Sequence, residues 1–432
     1  MELLVQNQNA KKNQLLKIVY LTPGWPLSKF HNGIVTYVHN ILSGFDNRIK
    51  PIIFASPLIG EEVEDKLINL SKFLNVKNAF QKIADKVLNR FTFPYARTIQ
   101  YRKSIKANAL KISMGLQSVS HPIDIVEMEE SFGTPFFLLN ITKNPIVTRL
   151  HGPWFMHAPL MKMDSEPSYC LRVFYEGEAI KNSHGVTSPS LDALQKTREY
   201  YGLELPHAKV IPNPVCEVNI EKRWQYNTDI NQYILVVGRF DLHKGGDLAL
   251  DAFKLIALKN HKVGLLFVGP DRGVNIGDRT VNFSEYVEQF ITDGTIKKRI
   301  QFLGHCDPDR IADLRKNALV TMVCSRYETF SIALVESLAA GCPTVATAVG
   351  GMKEIIIDDF NGLLAESESA ESIAEKVLSL IDDPEKMQRL SKNAIEDCKK
   401  RFSPEVVAAQ TVEYYQSVLA RVSETSANMK QN

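Results

Sequence analysis

Short apolar runs alternate with longer segments of helical periodicity along this chain, and the whole pattern occurs twice. The runs of the first half are Lys17–Leu21, Pro51–Ala55, Ile123–Val126, Pro145–Thr148, Gly185–Thr187 and Lys209–Ile211. Those of the second half are Tyr233–Val237, Val263–Val268, Ile300–Leu303, Leu319–Val323 and Thr344–Ala346. Continuous apolar strands separated by helices are typical of parallel sheets whose two faces are both covered. The sequence therefore predicts an α/β chain of two doubly wound, Rossmann-like domains.

The length supports two domains, because one hydrophobic core rarely grows beyond about 250–300 residues and this chain has 432. A polar segment with two prolines, at about 212–231, shows no apolar period and predicts the boundary. We expect an N-terminal domain at 1–215 and a C-terminal domain at 216–402, followed at 403–432 by a helix and a polar tail. Ser403-Pro404-Glu405 is typical of a helix start, and that helix is compatible with packing on either domain.

The composition argues against several classes of protein. A net charge of +2 provides no global basic field for nucleic acid. No apolar run reaches the roughly 18 residues that span a bilayer, and the N-terminal MELLVQNQNAKKNQ lacks the apolar core of a secretory signal. The six cysteines lack metal-site spacing and suit reduced thiols. We therefore expect a cytoplasmic protein without structural zinc.

Residues 77–111 carry nine basic side chains and one acidic side chain, with apolar residues between them. A basic, partly amphipathic segment can lie on an anionic membrane surface, which would give a peripheral membrane contact. The other interpretation is a solvated helical face with a few core contacts. Both stay open, whereas nucleic acid is disfavoured because no known binding module accompanies the segment.

The most informative stretch is 325–351, where the strand Leu319–Val323 leads into a helix predicted at Phe330–Ala340 with Thr329 as N-cap. Such a helix opens at the carboxyl edge of the sheet, where its N–H groups and dipole suit phosphate. Glu328 lies in the loop, and Glu336 lies about two turns into the helix. Glu336 either binds ribose hydroxyls or is a surface or capping carboxylate. Glu328 beside the helix start also has a purely electrostatic interpretation.

Two other loops follow predicted strands and contain glycine. Arg239 and Lys244 lie in the loop after Tyr233–Val237, where two cations can clamp a diphosphate or remain solvated charges. Gly33 begins a helix after the first strand and would let the backbone approach phosphate closely. Its surroundings match neither G-x-G-x-x-G nor G-x-x-x-x-G-K-[ST], so Gly33 alone indicates little.

Charged residues also follow two strands of the first half. His151 comes after Pro145–Thr148, a position that favours function, although a lone histidine is more often structural. The carboxylates that end the preceding strand either bind acceptor hydroxyls or form a solvated edge; they are Glu127, Glu129 and Glu130. In the second half, Asp307-Pro308-Asp309 is interpreted as a helix N-cap with Pro at the first position, not as a metal site.

Taken together, these residues resemble the retaining glycosyltransferases of family four, which have the GT-B fold. The first matching block is Glu328…Glu336, which looks like the family's E-x7-E motif and continues through Gly341-Cys342-Pro343 and Gly350-Gly351. The second is Gly238-Arg239 with Lys244-Gly245, and the third is Ile211-Pro212-Asn213 at the crossing between domains. The first half matches more loosely, through Gly33, His151-Gly152 and Ser188.

This resemblance implies two Rossmann-like domains facing across an interdomain cleft. It implies retaining transfer from a nucleotide-diphosphate sugar, with UDP favoured, to an acceptor hydroxyl by a metal-independent front-face mechanism. Such reactions build glycans, glycolipids or glycoconjugates. The implied catalytic residues are Glu328, Lys244, Arg239 and His151. The implied donor-binding residues are Gly33, Gly238, His305, Cys306, Thr329, Phe330, Ser331, Ile332 and Glu336, and Glu129 and Glu130 are candidates for the acceptor.

Three departures from the family pattern are visible: Thr329 replaces a common Gly, Asn213-Pro214-Val215-Cys216 stands at the crossing, and Gly269-Pro270-Asp271 follows a strand. None removes a charged group that the chemistry needs. The expected partners are a nucleotide sugar and an acceptor sugar, lipid or small molecule, without cofactor or metal. The alternatives are a non-catalytic nucleotide-sugar-binding protein, a nucleotide-sugar epimerase and a sheet-fold oxidoreductase, although the last lacks G-x-G-x-x-G.

Overall fold

The computed structural model describes residues 15–30, 32–73, 94–227, 229, 232–277 and 279–431. The described residues divide into two compact units. Unit 1 comprises the chain up to Pro189, Leu194–Ile211 and the chain from Pro404. Unit 2 comprises Ser190–Ala193 and Pro212–Ser403.

The strands are β1 (Leu16–Thr22), β2 (Ile49–Ala55), β3 (Leu67–Asn69), β4 (Ile125–Glu129), β5 (Ile146–Arg149), β6 (Gly185–Ser188), β7 (Lys209–Val210), β8 (Tyr233–Val237), β9 (Phe240–Asp241), β10 (Gly264–Val268), β11 (Asp271–Ile276), β12 (Arg279–Val281), β13 (Ile300–Gly304), β14 (Val320–Val323), β15 (Thr344–Thr347) and β16 (Leu363–Ala365). The helices are α1 (Gly33–Ser43), α2 (Pro94–Ser118), α3 (Thr134–Leu139), α4 (Trp154–His157), α5 (Tyr169–Asn182), α6 (Leu191–Tyr201), α7 (Gly246–Lys259), α8 (Phe283–Phe290), α9 (Gly294–Lys297), α10 (Pro308–Asn317), α11 (Ile332–Ala339), α12 (Met352–Ile355), α13 (Ala370–Ile381), α14 (Pro384–Phe402) and α15 (Pro404–Gln431).

Unit 1 is built on a parallel sheet of order β3-β2-β1-β4-β5-β6-β7. Alternate residues of β1 enter different cores, because side chains alternate across a strand. Ile18 and Tyr20 join a cluster with α1 and α15, and Val19 and Leu21 join a cluster with α2. Both faces are therefore covered. The chain adds β2 and β3 on one side of β1 and then β4 on the other, which makes a switch point between β1 and β4.

Unit 2 has a parallel sheet of order β13-β10-β8-β14-β15-β16, with its switch point between β8 and β14. A smaller sheet of order β12-β11-β9 extends from the carboxyl ends of β8 and β10. The Gly269-Pro270-Asp271 departure leads into its strand β11, which the sequence did not predict. The prediction of two doubly wound Rossmann-like domains is confirmed.

The units differ from the predicted boundaries at several places, and one of them is Ser190–Ala193, which were predicted in the first domain and lie in unit 2. Residues 212–215, assigned to the first domain, lie in unit 2, where the Val215 amide donates to the Phe402 carbonyl at 2.8 Å. Helix α15 belongs to unit 1, where Val407, Tyr415 and Val418 pack in the core that contains α1. Gly44 makes this approach possible, since a Cβ there would lie 2.0 Å from the Pro404 carbonyl oxygen.

Candidate functional site

Several of the predicted donor-side residues lie in loops at the carboxyl edge of the unit 2 sheet. The loop after β8 contains Arg239 and Lys244, and the loop after β14 contains Glu328. These two strands are neighbours at the switch point, which is where open α/β sheets bind ligands. His305 and Cys306 follow β13, so they also lie at the carboxyl edge of the sheet. Strand β10 separates β13 from β8.

Glu328 is a buried carboxylate held by two donors. The Lys244 ammonium lies 2.5 Å from its Oε1, and the Ser325 hydroxyl donates to the same oxygen at 2.7 Å. Burial alone would raise the pKa of Glu328, but the charge of Lys244, the nearby His243 and the two hydrogen bonds outweigh it and lower that pKa. Glu328 is therefore ionised at neutral pH and paired with a cation.

Asp241 organises the loop that carries both cations. Its carboxylate accepts from the Arg239 Nε at 2.6 Å and from the Lys244 backbone N–H at 2.7 Å. The Arg239 side chain remains 39% exposed. Nearby His243 is buried, and burial is the main cause that lowers its pKa, so it adds no positive charge at neutral pH. Sequence reasoning missed Asp241. The signal was present, because an aspartate often accepts a hydrogen bond from a backbone N–H a few residues later and so forms a turn.

Arg326 ties the β8 and β14 loops together, and sequence reasoning missed it as well. Its guanidinium contacts both carboxylate oxygens of Asp247, at 2.7 and 2.8 Å, and donates to the Leu242 carbonyl at 2.6 Å. Its backbone N–H donates to the His243 carbonyl at 2.9 Å. The two loops are thus joined by a bidentate ion pair and two bonds to backbone.

Two glycines allow the loops to meet at backbone distance. At Gly245, with φ +64°, a Cβ would lie 1.9 Å from the Cys324 carbonyl oxygen. At Gly350, with φ +48°, it would lie 2.1 Å from the Glu328 carbonyl oxygen. The Gly351 amide also donates to that Glu328 oxygen at 2.9 Å. Gly245 thus approaches the backbone of Cys324, and Gly350 and Gly351 approach that of Glu328, without room for a side chain at Gly245 or Gly350.

The helix after Glu328 begins later than predicted. Helix α11 spans Ile332–Ala339, and its N-cap is Ser331, so the prediction of Thr329 as N-cap is wrong. Ser331 has φ +83° and makes no side-chain capping bond. A non-glycine residue in this region is strained. The backbone before it is approached closely by Gly350, at Glu328, and by Gly351, at Thr329. The first amides of any α-helix lack intrahelical partners, so this end is suited to an anion.

Glu336 lies on α11 and forms an ion pair with Arg315 of α10, at 2.6 Å. The Arg315 side chain is 8% exposed and that of Glu336 is 34% exposed. Glu336 is thus neither an unpaired surface carboxylate nor a capping partner. Its position leaves one face of the carboxylate accessible while the other is held by a buried cation.

In unit 1, Gly33 begins α1, where the Asn32 side chain caps the helix by accepting from the Ile34 amide at 2.8 Å. This helix follows β1 at the switch point of the sheet. His151 follows β5, and burial together with the charge of Arg149 lowers its pKa well below the ordinary value. Its imidazole is therefore neutral at physiological pH.

Three carboxylates at the carboxyl end of β4 differ from one another: Glu127 and Glu129 lie within the strand and Glu130 follows it. Glu130 is fully buried and accepts from the amides of His151 and Gly152, at 2.9 and 2.8 Å. Glu129 has its Oε2 buried without a hydrogen-bond partner among the described residues, and burial raises its pKa to about 7. Glu127 is buried and bonded to two tyrosines. The interpretation of these residues as a solvated edge is wrong. Glu130 holds the His151 turn, which leaves Glu129 as the better acceptor candidate.

Asp307 caps α10, where its side chain accepts from the Arg310 amide at 2.8 Å and Pro308 occupies the first helical turn, which confirms that prediction. Across the described ranges, no three His, Cys, Asp or Glu side chains form a group that could hold a metal ion. Within the same ranges, no helix combines the length and apolarity needed to cross a bilayer.

Comparisons with known proteins agree with this geometry. Residues 219–397, all within unit 2, match the family model of glycosyl transferases group 1. An uncharacterized glycosyltransferase of Methanocaldococcus jannaschii is 34% identical over 181 residues, which are 42% of this chain and 47% of that protein. The chain thus spans about half the length of the curated relatives it matches.

Solved structures extend the likeness to nearly the whole chain. Sucrose-phosphate synthase from Thermosynechococcus elongatus is similar with a TM-score of 0.69 at 17% identity, covering 94% of this chain and 100% of that one. Anabaena HepE in complex with UDP and glucose is similar with a TM-score of 0.65 at 18% identity, covering 93% and 100%. At these identities the likeness concerns the fold, which is the GT-B fold.

Proposed function

We propose that this chain, whose residues 219–397 match glycosyl transferases group 1, is a retaining glycosyltransferase that uses a nucleotide-diphosphate sugar. The observation that carries the proposal is the contact of Lys244 with Glu328 at the switch point of the unit 2 sheet, beside the start of α11. A cation for phosphate, a carboxylate for sugar hydroxyls and a helix N-terminus meet there. A glycosyl donor carries a partner for each of these groups: phosphates for the cation and the helix N-terminus, and sugar hydroxyls for the carboxylate.

The donor proposed is a UDP-sugar. Anabaena HepE, which shares the fold, binds UDP and glucose. In this chain we assign the ribose to Glu336, the phosphates to the amides of Phe330 and Ser331, and the base to the region of His305 and Cys306. Unit 1 is proposed to bind the acceptor, with Glu129 and His151 as hydrogen-bonding groups.

The charges at the site match the charge that develops in the reaction. As the bond between the sugar carbon and the phosphate oxygen breaks, positive charge grows on the sugar and negative charge on the diphosphate. In this proposal Arg239, Lys244 and the α11 amides stabilise the diphosphate, in a role that metal ions have in other transferases. Because Lys244 already contacts Glu328, donor binding requires it to exchange or share this partner.

The proposed transfer proceeds on one face of the sugar. The acceptor oxygen forms the new bond to the sugar carbon as the phosphate oxygen leaves, and that phosphate oxygen takes the acceptor proton. Configuration is retained and no covalent enzyme intermediate forms. Glu328 would hold hydroxyls of the transferred sugar, and the neutral His151 would donate or accept a hydrogen bond without adding charge.

Thermal melting with UDP, GDP and ADP, each with and without EDTA, tests this proposal. A ligand that binds the native state raises the melting temperature by mass action. We expect a shift with UDP that EDTA does not change and that Lys244→Ala abolishes. Lys298 is exposed and lies before β13, at the amino edge of the sheet. The control variant Lys298→Ala should keep the shift. A shift that needs a divalent ion would overturn metal independence, and no shift with nucleotides or intact nucleotide sugars would overturn the proposal.

A peripheral contact with anionic membranes is proposed for helix α2, which would favour a lipid-linked acceptor. Arg102, Lys103 and Lys106 are exposed on this helix, and so are the apolar Leu110 and Met114. Residues 77–93 of the basic segment lie outside the described residues. Co-sedimentation with vesicles containing anionic lipid should occur at low salt and weaken as salt increases. Absence of binding, or binding that salt does not change, would contradict it.

A further inference from the structure

A buried carboxylate in unit 1 has no part in the mechanism described so far. Glu127 of β4 is 2% exposed and lies next to the switch point of the sheet. The Tyr37 hydroxyl of α1 donates to its Oε1 at 2.7 Å, and the Tyr415 hydroxyl of α15 donates to its Oε2 at 2.7 Å. The Tyr415 oxygen also lies 2.8 Å from that of Tyr20 in β1. Three elements thus converge on one buried charge.

Arg149 is the cation of this cluster. It ends β5, is completely buried, and donates to the Ile211 carbonyl at 2.9 Å. A buried guanidinium stays charged and requires a compensating anion. Burial is the largest influence on Glu127 and raises its pKa, although the charge of Arg149 and the hydrogen bonds from Tyr37 and Tyr415 oppose that rise. Arg149 and the two tyrosine hydroxyls therefore favour the ionised form of Glu127, and burial opposes it.

Tyr37 connects this pair to His151. Its ring lies 4.1 Å from the Arg149 guanidinium carbon, and its centroid lies 5.2 Å from that of the His151 imidazole, at an interplanar angle of 66°. Tyr37, Arg149, Glu127 and His151 also line one small cavity, together with Glu129. The bond from the Tyr37 hydroxyl to Glu127 fixes the ring that touches both Arg149 and His151.

We propose that Glu127 is a positioning residue that holds Tyr37 and Arg149 in place and thereby orients the imidazole of His151 for transfer, with Tyr415 of α15 completing its binding. The inference rests on the proposed function of His151. It gives the C-terminal helix a role in catalysis besides its packing in the core. Protonation of Glu127 would remove the negative charge beside Arg149 and weaken the hydrogen bonds from both tyrosine hydroxyls, so activity should fall on the acid side.

The groups that face Glu127 come from every element around it. They are Tyr20 of β1, Tyr37 of α1, Arg149 of β5, and Tyr414 and Tyr415 of α15. Glu129 lines the same cavity and also has a raised pKa. A loss of activity at acid pH could therefore come from either glutamate. Assigning it to Glu127 requires a variant that changes the surroundings of Glu127 and leaves Glu129 unchanged.

Adjacent tyrosines of α15 provide a matched pair of variants. Tyr415→Phe removes a hydrogen bond to Glu127, whereas Tyr414→Phe removes bonds to the backbone of Val186 and His207, at 2.8 to 3.0 Å. Because the Tyr415 bond lowers the pKa of Glu127, its loss should move the acid-side midpoint of kcat upward, by about half a pH unit or more. We expect kcat to fall at least about tenfold with the donor KM unchanged, and Tyr414→Phe to keep the wild-type midpoint. Equal midpoints in the two variants would overturn the proposal.

A spectroscopic measurement separates this inference from the proposed function. The imidazole nitrogen signals of His151, assigned with His151→Gln, should change in Tyr415→Phe and stay as in wild type in Tyr414→Phe. Unchanged signals in Tyr415→Phe would overturn the positioning role even without an activity assay. A wild-type protein that transfers no sugar would count against the proposed function. The His151 signals would still show whether Glu127 positions the imidazole. If Tyr415→Phe does not fold, Tyr37→Phe removes the other bond to Glu127 and the same two results apply.

Discussion

The ammonium of Lys244 lies 2.5 Å from the carboxylate of Glu328, although 84 residues separate them in the chain. The contact forms because β8 and β14 are neighbours, so the loops that follow them meet at one edge of the sheet. In the proposed donor site, the pair brings a cation for the diphosphate and an anion for the sugar hydroxyls to one place. Each charge holds the other in position before the donor binds, and donor binding then requires Lys244 to exchange or share Glu328.

Removing any charged group of the donor site should abolish most of the activity. We expect Glu328→Ala, Arg239→Ala and Lys244→Ala each to reduce the transfer rate at least about a hundredfold, because preorganised charges stabilise the transition state. Initial rates with labelled UDP-sugars measure the effect, and circular dichroism checks the fold. Lys298→Ala, at the opposite edge of the sheet, should retain the wild-type rate. A fully active Lys244→Ala enzyme would refute the phosphate assignment.

The Glu328 pair should also make stability depend on pH. The pKa of Glu328 is lowered in the folded state, so its ionised form stabilises folding above the ordinary value of 4.5, and that contribution is lost as the pH falls through the folded pKa. Urea unfolding of wild type and Glu328→Gln should therefore differ most at neutral pH and converge below pH 4.5. The exposed Glu375 of α13 provides Glu375→Gln as a control. A difference that is constant between neutral and acid pH would contradict this sign.

Gly350 should tolerate no side chain. Its φ is +48°, and a Cβ would lie 2.1 Å from the Glu328 carbonyl oxygen, so Gly350→Ala should displace the backbone that carries Glu328. We expect a loss of more than about 1 kcal/mol in the free energy of unfolding, together with reduced transfer. Gly294→Ala is the matched control, since nothing lies within 4 Å of a Cβ there. Equal stability of the two variants in urea would show that the loop can relax.

The pairing of Glu336 with Arg315 predicts recognition of ribose. The buried Arg315 guanidinium contacts one carboxylate oxygen of Glu336 at 2.6 Å, and the Glu336 side chain is 34% exposed, so we propose that ribose hydroxyls reach this carboxylate. The ribonucleotide to test is the one that raises the melting temperature. Glu336→Gln should weaken its binding about tenfold or more, whereas the 2′,3′-dideoxy form of the same nucleotide should bind as it does to wild type. Calorimetric titration of both nucleotides measures this ratio, with Glu375→Gln as control. An equal loss for the two nucleotides would place Glu336 away from the ribose.

The sequence was sufficient for features that depend on local pattern. Continuous apolar runs separated by helices predicted two doubly wound sheets, because a strand buried on both faces has little choice of residue. The position of Arg239, Lys244 and Glu328 after strands then placed all three at a carboxyl edge. The Asp307 cap was also predictable, since its bond reaches only three residues along the chain.

Tertiary contacts decided the features that sequence reasoning missed. Helix α11 starts at Ile332 instead of Phe330, and the backbone before it lies against Gly350 and Gly351 of another loop. The same holds for the ion pairs of Arg326 and Arg315, whose partners are distant in sequence.

Glu127 is the clearest example of a residue whose surroundings the sequence pattern does not predict. It lies within β4, close to Glu129 and Glu130, and has the pattern of a polar edge, yet its partners Tyr37 and Tyr415 are 90 and 288 residues away. Only the packing of α1 and α15 on one face of the sheet brings these hydroxyls to the carboxylate. Sequence pattern determines which segments become strands and helices, because those preferences act between neighbours. Whether a charge becomes solvated, paired or buried depends on which distant elements pack against it, and the folded chain alone decides that.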